Sequence, residues 1–129
     1  MNIVRKVKPF HVDERGEMSY ILDRETIITS ALIITCKKGS IRANHYHKKD
    51  SHYAYMLEGK MEYTYRDAGS KENKSVIVNK GEVVYSPQMT IHAMRFLVNS
   101  VFLALTTEKR DKKLYENDTV RVDILADEK

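Results

Sequence analysis

The sequence contains one cysteine, two prolines and no tryptophan in 129 residues. Cys36 cannot form a disulfide within the chain, and its apolar neighbours in residues 31–35 predict a small buried side chain rather than a nucleophile. No apolar run is long enough to span a bilayer, and residues 1–6 lack the apolar stretch of a signal peptide. We therefore expect a cytoplasmic protein that has no membrane partner.

The chain has a small excess of positive charge, with 22 Lys and Arg against 18 Asp and Glu. Charges of both signs are interleaved, as in residues 108–113, and the sequence has no basic stripe and no nucleic-acid-binding motif. This distribution predicts that nucleic acid is not a partner. A net charge of +4 instead favours a small anionic ligand, such as a phosphorylated molecule.

Short apolar or alternating runs, separated by turn-forming residues, occupy most of the chain. Helical periodicity is weak, and the best helical candidates are residues 23–28 and the region around residues 114–116. Many short strands with turns between them are typical of an antiparallel sandwich or barrel, so we predict an all-β fold in one compact domain. The predicted strands cover residues 17–22, 30–37, 41–47, 53–57, 60–65, 75–79, 82–86, 90–96 and 101–107.

Four of the five histidines fall in two blocks of the sequence. His45 and His47 are two residues apart on a predicted strand, and strict alternation places both imidazoles on one face, together with Ile41 and Ala43. Two further imidazoles, His52 and His92, could then complete a metal site. A hydrogen-bonded cluster without a metal is the alternative. Neutral imidazole suits Zn, Ni, Fe or Cu and tolerates Mn, so the predicted cofactor is one divalent transition metal ion.

The first block has regular spacing: Gly39, five residues, His45-Tyr46-His47, four residues, His52, six residues and Gly59. This spacing resembles the first sequence motif of the cupin family. The difference is that His52 stands where the family usually has Glu. The change keeps a side chain that could bind a metal while it removes a negative charge.

The second block contains Gly81, five residues, Pro87 and then His92. It resembles the second cupin motif, with Met89 in place of a glycine and Phe96 in place of an asparagine. The resemblance implies a small double-stranded β-helix, the cupin jelly-roll barrel, with short helical turns. It implies a single cupin domain over residues 1–129, with a core at about 30–107 on which an N-terminal strand in 1–22 and a C-terminal extension at 108–129 pack.

The string Arg42-Ala43-Asn44-His45-Tyr46-His47-Lys48-Lys49 is similar to the Arg-Gly-x-His-x-His-Lys-Lys signature of sugar-nucleotide cupins, and residues 115–121 resemble the ending of that group. The resemblance implies an enzyme that isomerises or epimerises a nucleotide-activated keto-sugar in surface polysaccharide biosynthesis. In the ketoisomerases the two motif histidines are the acid–base pair and no metal is used, which implies catalytic roles for His45 and His47. The presence of His52 favours a metal-bearing relative instead, with His45, His47, His52 and His92 as its ligands.

A histidine that binds a metal is a poor general base, so tyrosines on the strands become candidates. We expect Tyr53 to be catalytic, and the expected substrate-binding residues are Arg42, Tyr46, Tyr55, Tyr63 and Met94. Two other functions stay open: a metal-dependent cupin oxygenase, and a non-catalytic module that binds a ligand. The expected partners are a small molecule, such as a nucleotide sugar, and a second copy of the chain, since cupins of this size are commonly homodimers by resemblance.

Overall fold

The computed structural model describes residues 3–22, 25–67 and 69–125. These ranges contain twelve strands and one α-helix. The strands are β1 (Val4–Lys6), β2 (Pro9–Asp13), β3 (Gly16–Ser19), β4 (Ser30–Cys36), β5 (Ile41–His47), β6 (His52–Glu58), β7 (Lys60–Asp67), β8 (Lys74–Asn79), β9 (Glu82–Ser86), β10 (Thr90–Phe96), β11 (Ser100–Thr106) and β12 (Thr119–Arg121); the helix α1 is Lys112–Asp118.

Two five-stranded antiparallel sheets form the body of the protein. Their strand orders are β1-β9-β6-β11-β4 and β12-β5-β10-β7-β8. The inner faces meet in one apolar core, where Met56 and Phe102 of the first sheet are clustered with Met61, Met94 and Phe96 of the second. Residues from both sheets alternate into this core as expected for sheet-on-sheet packing. The predicted all-β jelly-roll fold is confirmed.

The ends of the chain join the two sheets as edge strands. Strand β1 pairs with β9, and β12 pairs with β5. Strands β2 and β3 form a separate hairpin. Helix α1 begins after Asp111, whose carboxylate accepts hydrogen bonds from the backbone N–H groups of Lys113 and Leu114. The helix predicted around residues 114–116 is therefore present, and no helix in the described ranges has the length and apolar character needed to cross a membrane.

The helix predicted at residues 23–28 is not found. Asp23 and Arg24 lie outside the described residues, and residues 25–28 adopt no helical structure. The segment has too little apolar periodicity to bury a helical face, and helices this short gain little from their own hydrogen bonds.

The alternation of side chains along β5 is interrupted at Ala43 and Asn44. Their φ angles are +70° and +59°, in the left-handed region that non-glycine residues seldom adopt. In the pairing with β10, His45 faces His92 but the next matched pair is Ala43 with Ala93. Two residues of β5 therefore oppose one step of β10, which is a β-bulge.

The bulge changes which residue of β5 lies inside the barrel. Arg42 pairs with Met94, and Met94 lies two residues from His92, on the same inner face of β10. Ile41 pairs with Arg95, which alternates to the outer face. The prediction that Ile41 and Ala43 share a face with the two histidines of β5 is therefore wrong, because an extra residue shifts the alternation and Arg42 takes the inner position.

Candidate functional site

Three neighbouring strands bring the four histidines together at one end of the barrel. His45 and His47 come from β5, His52 begins β6, and His92 lies on β10. The ring centroid of His45 is 4.4 Å from that of His47 and 5.0 Å from that of His92. The ring of His52 is 5.1 Å from His92 and 5.6 Å from His47. Residues that are far apart in the sequence thus form one imidazole cluster.

Hydrogen bonds on the outer side of the cluster fix which ring nitrogens face inward. Nδ1 of His92 donates to the carbonyl oxygen of Thr90 at 3.1 Å. The hydroxyl of Thr119 donates to a carbonyl oxygen of α1, so Nδ1 of His47 is the donor in its 3.3 Å contact with the same hydroxyl oxygen. In both rings Nε2 is left with a free lone pair.

Three ring nitrogens of the cluster are buried and have no hydrogen-bond partner among the described residues. They are Nδ1 of His45, Nε2 of His47 and Nε2 of His92. Buried polar atoms normally have partners, and a lone pair without one at a functional site needs an explanation. Unprotonated imidazole nitrogens are good ligands for transition metals, so the donor set fits a divalent ion.

Burial keeps these imidazoles neutral at physiological pH. The four side chains are between 1% and 4% exposed. Burial, and then the neighbouring His47 and His52, lower the pKa of His45 to about 3. Burial likewise lowers the pKa of His47 to about 4 and that of His92 well below its ordinary value. Neutral rings can accept a proton or a metal ion, whereas protonated rings can do neither.

Asp50 is a buried carboxylate that supports His52. One of its oxygens lies 3.3 Å from Nδ1 of His52 and 3.4 Å from the guanidinium of Arg110, and the other accepts from the backbone N–H of Glu108 at 3.0 Å. Burial alone would raise the pKa of Asp50, but the hydrogen bond to His52 and the charge of Arg110 hold it below its usual value. Asp50 therefore stays ionised and orients the His52 ring.

Ligand atoms of His47, Asp50 and His52 lie within 4.8 Å of one another, so this group could hold a metal ion. One oxygen of the Asp50 carboxylate accepts a hydrogen bond from Nδ1 of His52, and the other accepts one from the backbone N–H of Glu108. Asp50 is accordingly better placed to orient a ligand than to act as one.

The imidazole cluster forms part of the wall of a cavity of about 330 Å³. This lumen cavity, as we call it, is also lined by three arginines, Arg42, Arg110 and Arg121, and by Tyr115 of α1. The ring of Tyr115 lies 5.4 Å from that of His47, and the guanidinium of Arg110 lies 4.6 Å from the centre of the tyrosine ring. A site with these cations and neutral imidazoles favours an anionic, oxygen-rich ligand.

Three of the predicted substrate-binding residues lie beside the cluster. Arg42 and Met94 line the lumen cavity. Tyr63 is fully buried, with its ring 5.8 Å from that of His92 and its hydroxyl in a 2.5 Å hydrogen bond with Ser86. Burial raises the pKa of Tyr63, so its hydroxyl stays protonated.

The other predicted tyrosines lie on outer faces. Tyr46 alternates away from the histidines on either side of it and packs against the cluster formed by Ile91, Ala93, Ile124 and Leu125. Tyr53 and Tyr55 alternate away from His52, and the ring of Tyr53 stacks on that of Tyr85 at 4.7 Å. The structure therefore does not bring Tyr46, Tyr53 or Tyr55 to the lumen cavity, because adjacent residues of a strand point to opposite faces.

Sequence reasoning missed Arg110, Tyr115 and Arg121 as residues of the site. All three belong to the C-terminal extension: Arg121 is placed by the pairing of β12 with β5 next to the histidines, and Arg110 by its contact with Asp50. The one available signal was the resemblance of residues 115–121 to the ending of the sugar-nucleotide cupins.

Comparison with known proteins gives two kinds of match. The family model described as Cupin matches residues 21–116. A search of curated proteins found no match. Among solved structures, a variant of the 3,4-ketoisomerase QdtA from Thermoanaerobacterium thermosaccharolyticum in complex with TDP has 26% identity and a TM-score of 0.73, with 94% of this chain and 88% of that chain covered.

Two further solved structures have the same fold at lower identity. The TDP-quinovose 3,4-ketoisomerase WlaRB from Campylobacter jejuni has 17% identity and a TM-score of 0.76, over 92% of this chain and 90% of that one. The capsular polysaccharide assembling protein CapF from Staphylococcus aureus has 21% identity and a TM-score of 0.68. This match covers 92% of this chain but 33% of CapF, so the chain corresponds to one part of that larger protein.

Proposed function

The chain belongs to the cupin family, and on that premise we propose that it isomerises a nucleotide-linked keto-sugar by moving a carbonyl group between adjacent sugar carbons. The observation that carries the proposal is the lumen cavity, in which three buried neutral imidazoles of the cluster, those of His45, His52 and His92, meet three arginines. The relative that shares 26% identity is a 3,4-ketoisomerase in complex with TDP, which supports the same substrate class.

The cavity suits the sugar ring of such a substrate. Its volume of about 330 Å³ lies at the small end of the range for ligand pockets, and its walls combine polar groups with Met94, Phe102 and Ala104. The arginines provide the positive charge that a sugar diphosphate requires. A neutral metabolite would leave Arg42, whose acceptors among the described residues are neutral, without a matching anion.

The proposed reaction transfers two protons and leaves the atoms of the sugar unchanged. One imidazole removes the proton on the carbon next to the carbonyl, and the electron pair of that C–H bond forms the C=C bond of an enediol. A proton is then returned to the former carbonyl carbon, while the neighbouring hydroxyl gives its proton to the former carbonyl oxygen and becomes the new carbonyl. His45 and His47 are the proposed proton carriers, because their rings are adjacent and each has an unpartnered nitrogen.

We also propose that His45, His47, His52 and His92 can hold one divalent ion of Zn, Ni, Fe, Mn or Cu. Three unpartnered ring nitrogens and the Asp50-oriented ring of His52 support this assignment. When bound, such an ion would draw electrons from the substrate carbonyl oxygen and stabilise the enediolate. Elemental analysis of protein purified without chelator or nickel resin tests the assignment.

The two proposals assign different roles to the same nitrogens. A lone pair that binds an ion cannot accept a proton, so the metal-loaded protein needs another proton carrier. Tyr115 is the proposed group, because its ring lies 5.4 Å and 6.2 Å from the rings of His47 and His45 and it lines the cavity. It takes the place of Tyr53, which lies on the outer face of β6.

Proton exchange with solvent gives a direct test of the proposed function. The protein is incubated with TDP-4-keto-6-deoxyglucose in D₂O and followed by proton NMR. We expect loss of the C3 proton signal and formation of the 3-keto isomer carrying deuterium at C4. His47→Asn should slow turnover about 100-fold or more, whereas the surface variant His11→Asn should not. A substrate whose C3 proton is retained on prolonged incubation contradicts the proposal.

A cytoplasmic location and a homodimeric state are parts of the same proposal. The family resemblance and the exposed apolar residues of the β2–β3 hairpin, Phe10, Val12 and Met18, support the second. Light scattering on the purified chain measures the oligomeric state directly.

A further inference from the structure

We infer that the nucleotide diphosphate of the proposed substrate lies in a surface groove between the end of β4 and the start of β5, which we call the Lys37–Lys38 groove. The inference rests on the proposed function and adds the position of the part of the substrate that is not isomerised. Arg42 belongs to both the lumen cavity and this groove, so it marks where the two join.

A second binding site is needed because a whole nucleotide sugar is larger than the lumen cavity. The lumen cavity of about 330 Å³ can accept a sugar ring, but a nucleoside diphosphate attached to that sugar roughly doubles or triples the ligand and must extend outward. Two other cavities adjoin the lumen. The Lys37–Lys38 groove shares Ile41 and Arg42 with it, and a cavity beside α1, the α1 cavity, shares Arg110 and Tyr115.

The hydrogen-bond and ion-pair partners of the three arginines in the lumen cavity indicate which adjoining cavity, the Lys37–Lys38 groove or the α1 cavity, is the better site for a diphosphate. Arg110 lies 3.4 Å from the carboxylate of Asp50, and Arg121 lies 3.3 Å from that of Glu116. Arg42 differs from both.

Within the described ranges, Arg42 donates to neutral acceptors only. Its Nη2 donates to the carbonyl oxygen of Thr35 at 3.0 Å, and its Nε lies 3.2 Å from the sulfur of Cys36. These bonds fix the guanidinium in place without neutralising its charge. Arg42 is therefore the lumen arginine best able to bind a phosphate, since a fixed guanidinium presents its N–H groups to two oxygens at once.

The rest of the Lys37–Lys38 groove has the same electrostatic character. Its volume is about 780 Å³, which is large enough for a nucleoside diphosphate. Lys37 and Lys38 are exposed, and neither makes an ion pair with another described residue. No Asp or Glu is among the lining residues, whereas Ser40 and Asn99 add neutral polar groups. A concave surface with three cations and no carboxylate attracts a diphosphate.

The α1 cavity provides the comparison within the same protein. It is about 370 Å³ in volume and also contains two adjacent lysines, Lys48 and Lys49. Its walls include three carboxylates, however, those of Asp50, Glu108 and Asp118. Carboxylates repel a diphosphate, so this cavity is the weaker candidate although a third lysine, Lys109, also lines it.

The two lysine pairs allow a matched experiment. The variants Lys37→Gln/Lys38→Gln and Lys48→Gln/Lys49→Gln each remove two exposed positive charges from the surface. Binding of thymidine diphosphate is measured by calorimetry for the full-length parent and both variants, and thermal unfolding confirms that each is folded. We expect the first pair to raise Kd about tenfold, and the second to change it less than about twofold.

Several results would overturn the inference. Equal weakening by the two variants would mean that total charge alone matters, and a larger effect of the Lys48/Lys49 pair would place the nucleotide beside α1. Failure of the parent to bind thymidine diphosphate would also reject it. The NMR assay separates this inference from the proposed function. If the protein isomerises the sugar but the variant Lys37→Gln/Lys38→Gln changes neither Kd nor KM, the groove is rejected and the proposed function stands. Nucleotide binding that depends on Lys37 and Lys38, without isomerisation, rejects the reaction and keeps the groove.

Discussion

Acidification should destabilise this protein well above the pH at which its carboxylates titrate. In the folded protein the pKa of His45 is about 3, mainly because the ring is buried, while the same group in the unfolded chain has a pKa of 6.5. As the pH falls below 6.5, the unfolded chain takes up a proton that the folded protein does not. The free energy of unfolding therefore decreases as the pH falls from 6.5 toward 3.

The size of the effect follows from that difference in pKa. Between pH 7 and pH 5 the unfolded His45 becomes almost fully protonated and the folded one stays neutral. This difference removes about 2 kcal/mol from the free energy of unfolding, since one pKa unit corresponds to about 1.4 kcal/mol. Burial also lowers the pKa of His47, His52 and His92, so these groups add to the loss in the same direction. Small domains are stabilised by about 5–15 kcal/mol in total, so the loss is a substantial fraction.

Urea unfolding at pH 7 and pH 5, in the presence of EDTA, measures this loss. We expect the free energy of unfolding to be lower at pH 5 by at least about 2 kcal/mol. His45→Gln should reduce the difference between the two pH values by about 2 kcal/mol, and His11→Gln, on the exposed β2–β3 hairpin, should not change it. A parent protein that loses less than about 1 kcal/mol would refute the reasoning, because the buried rings would then have to be protonated already.

Three further predictions concern a turn, a tyrosine and a ligand. Gly59→Ala should lower stability by about 3 kcal/mol in urea unfolding, because φ is +96° and the new Cβ would lie 2.1 Å from the hydroxyl oxygen of a buried serine; Gly81→Ala, at φ +84° with no atom within 4 Å, should cost about 1 kcal/mol. Tyr115→Phe should lower kcat of the metal-loaded protein about 100-fold with little change in thymidine diphosphate binding, and unchanged turnover would reject its role as proton carrier. His52→Ala should sharply lower metal content by elemental analysis, whereas His11→Ala should not; equal content in parent and His52→Ala would show that His52 is not a ligand.

Much of the fold could be predicted because turns are well marked in the sequence. The bounds of β5, β9 and β10 match their predictions, since Gly39, Gly81 and Pro87 end the adjoining runs. The bulge in β5 could not be predicted from alternation. Ala43 gives no sign of a positive φ angle, and only the pairing with β10 reveals the extra residue. Because of this one extra residue, every residue before it in the strand faces the side opposite to the one that alternation counted from His45 predicts.

The motif spacing indicated that the four histidines would converge, and residues outside the two motifs were harder to place. The spacing of His45, His47, His52 and His92 anticipated their convergence. Tyr53 lies next to an inward-facing histidine, so its outward position was already implied by the two-residue period. The residues of the C-terminal extension were beyond such reasoning, because tertiary contacts place them in the cavity, among them the pairing of β12 with β5 and the contact of Arg110 with Asp50.

The extra residue in β5 places Arg42 on the same inner face of the barrel as the imidazole cluster. Removing one residue at Ala43 or Asn44 would restore strict alternation and leave Arg42 two residues before the first histidine, so Arg42 would keep its inner position. Replacing the bulge by regular pairing without deleting a residue would have the opposite effect, because Arg42 would then stand three residues before His45 and face outward. The inward-facing side chain therefore stands three residues before the first histidine in a strand with the bulge, and two residues before it in a strand without one.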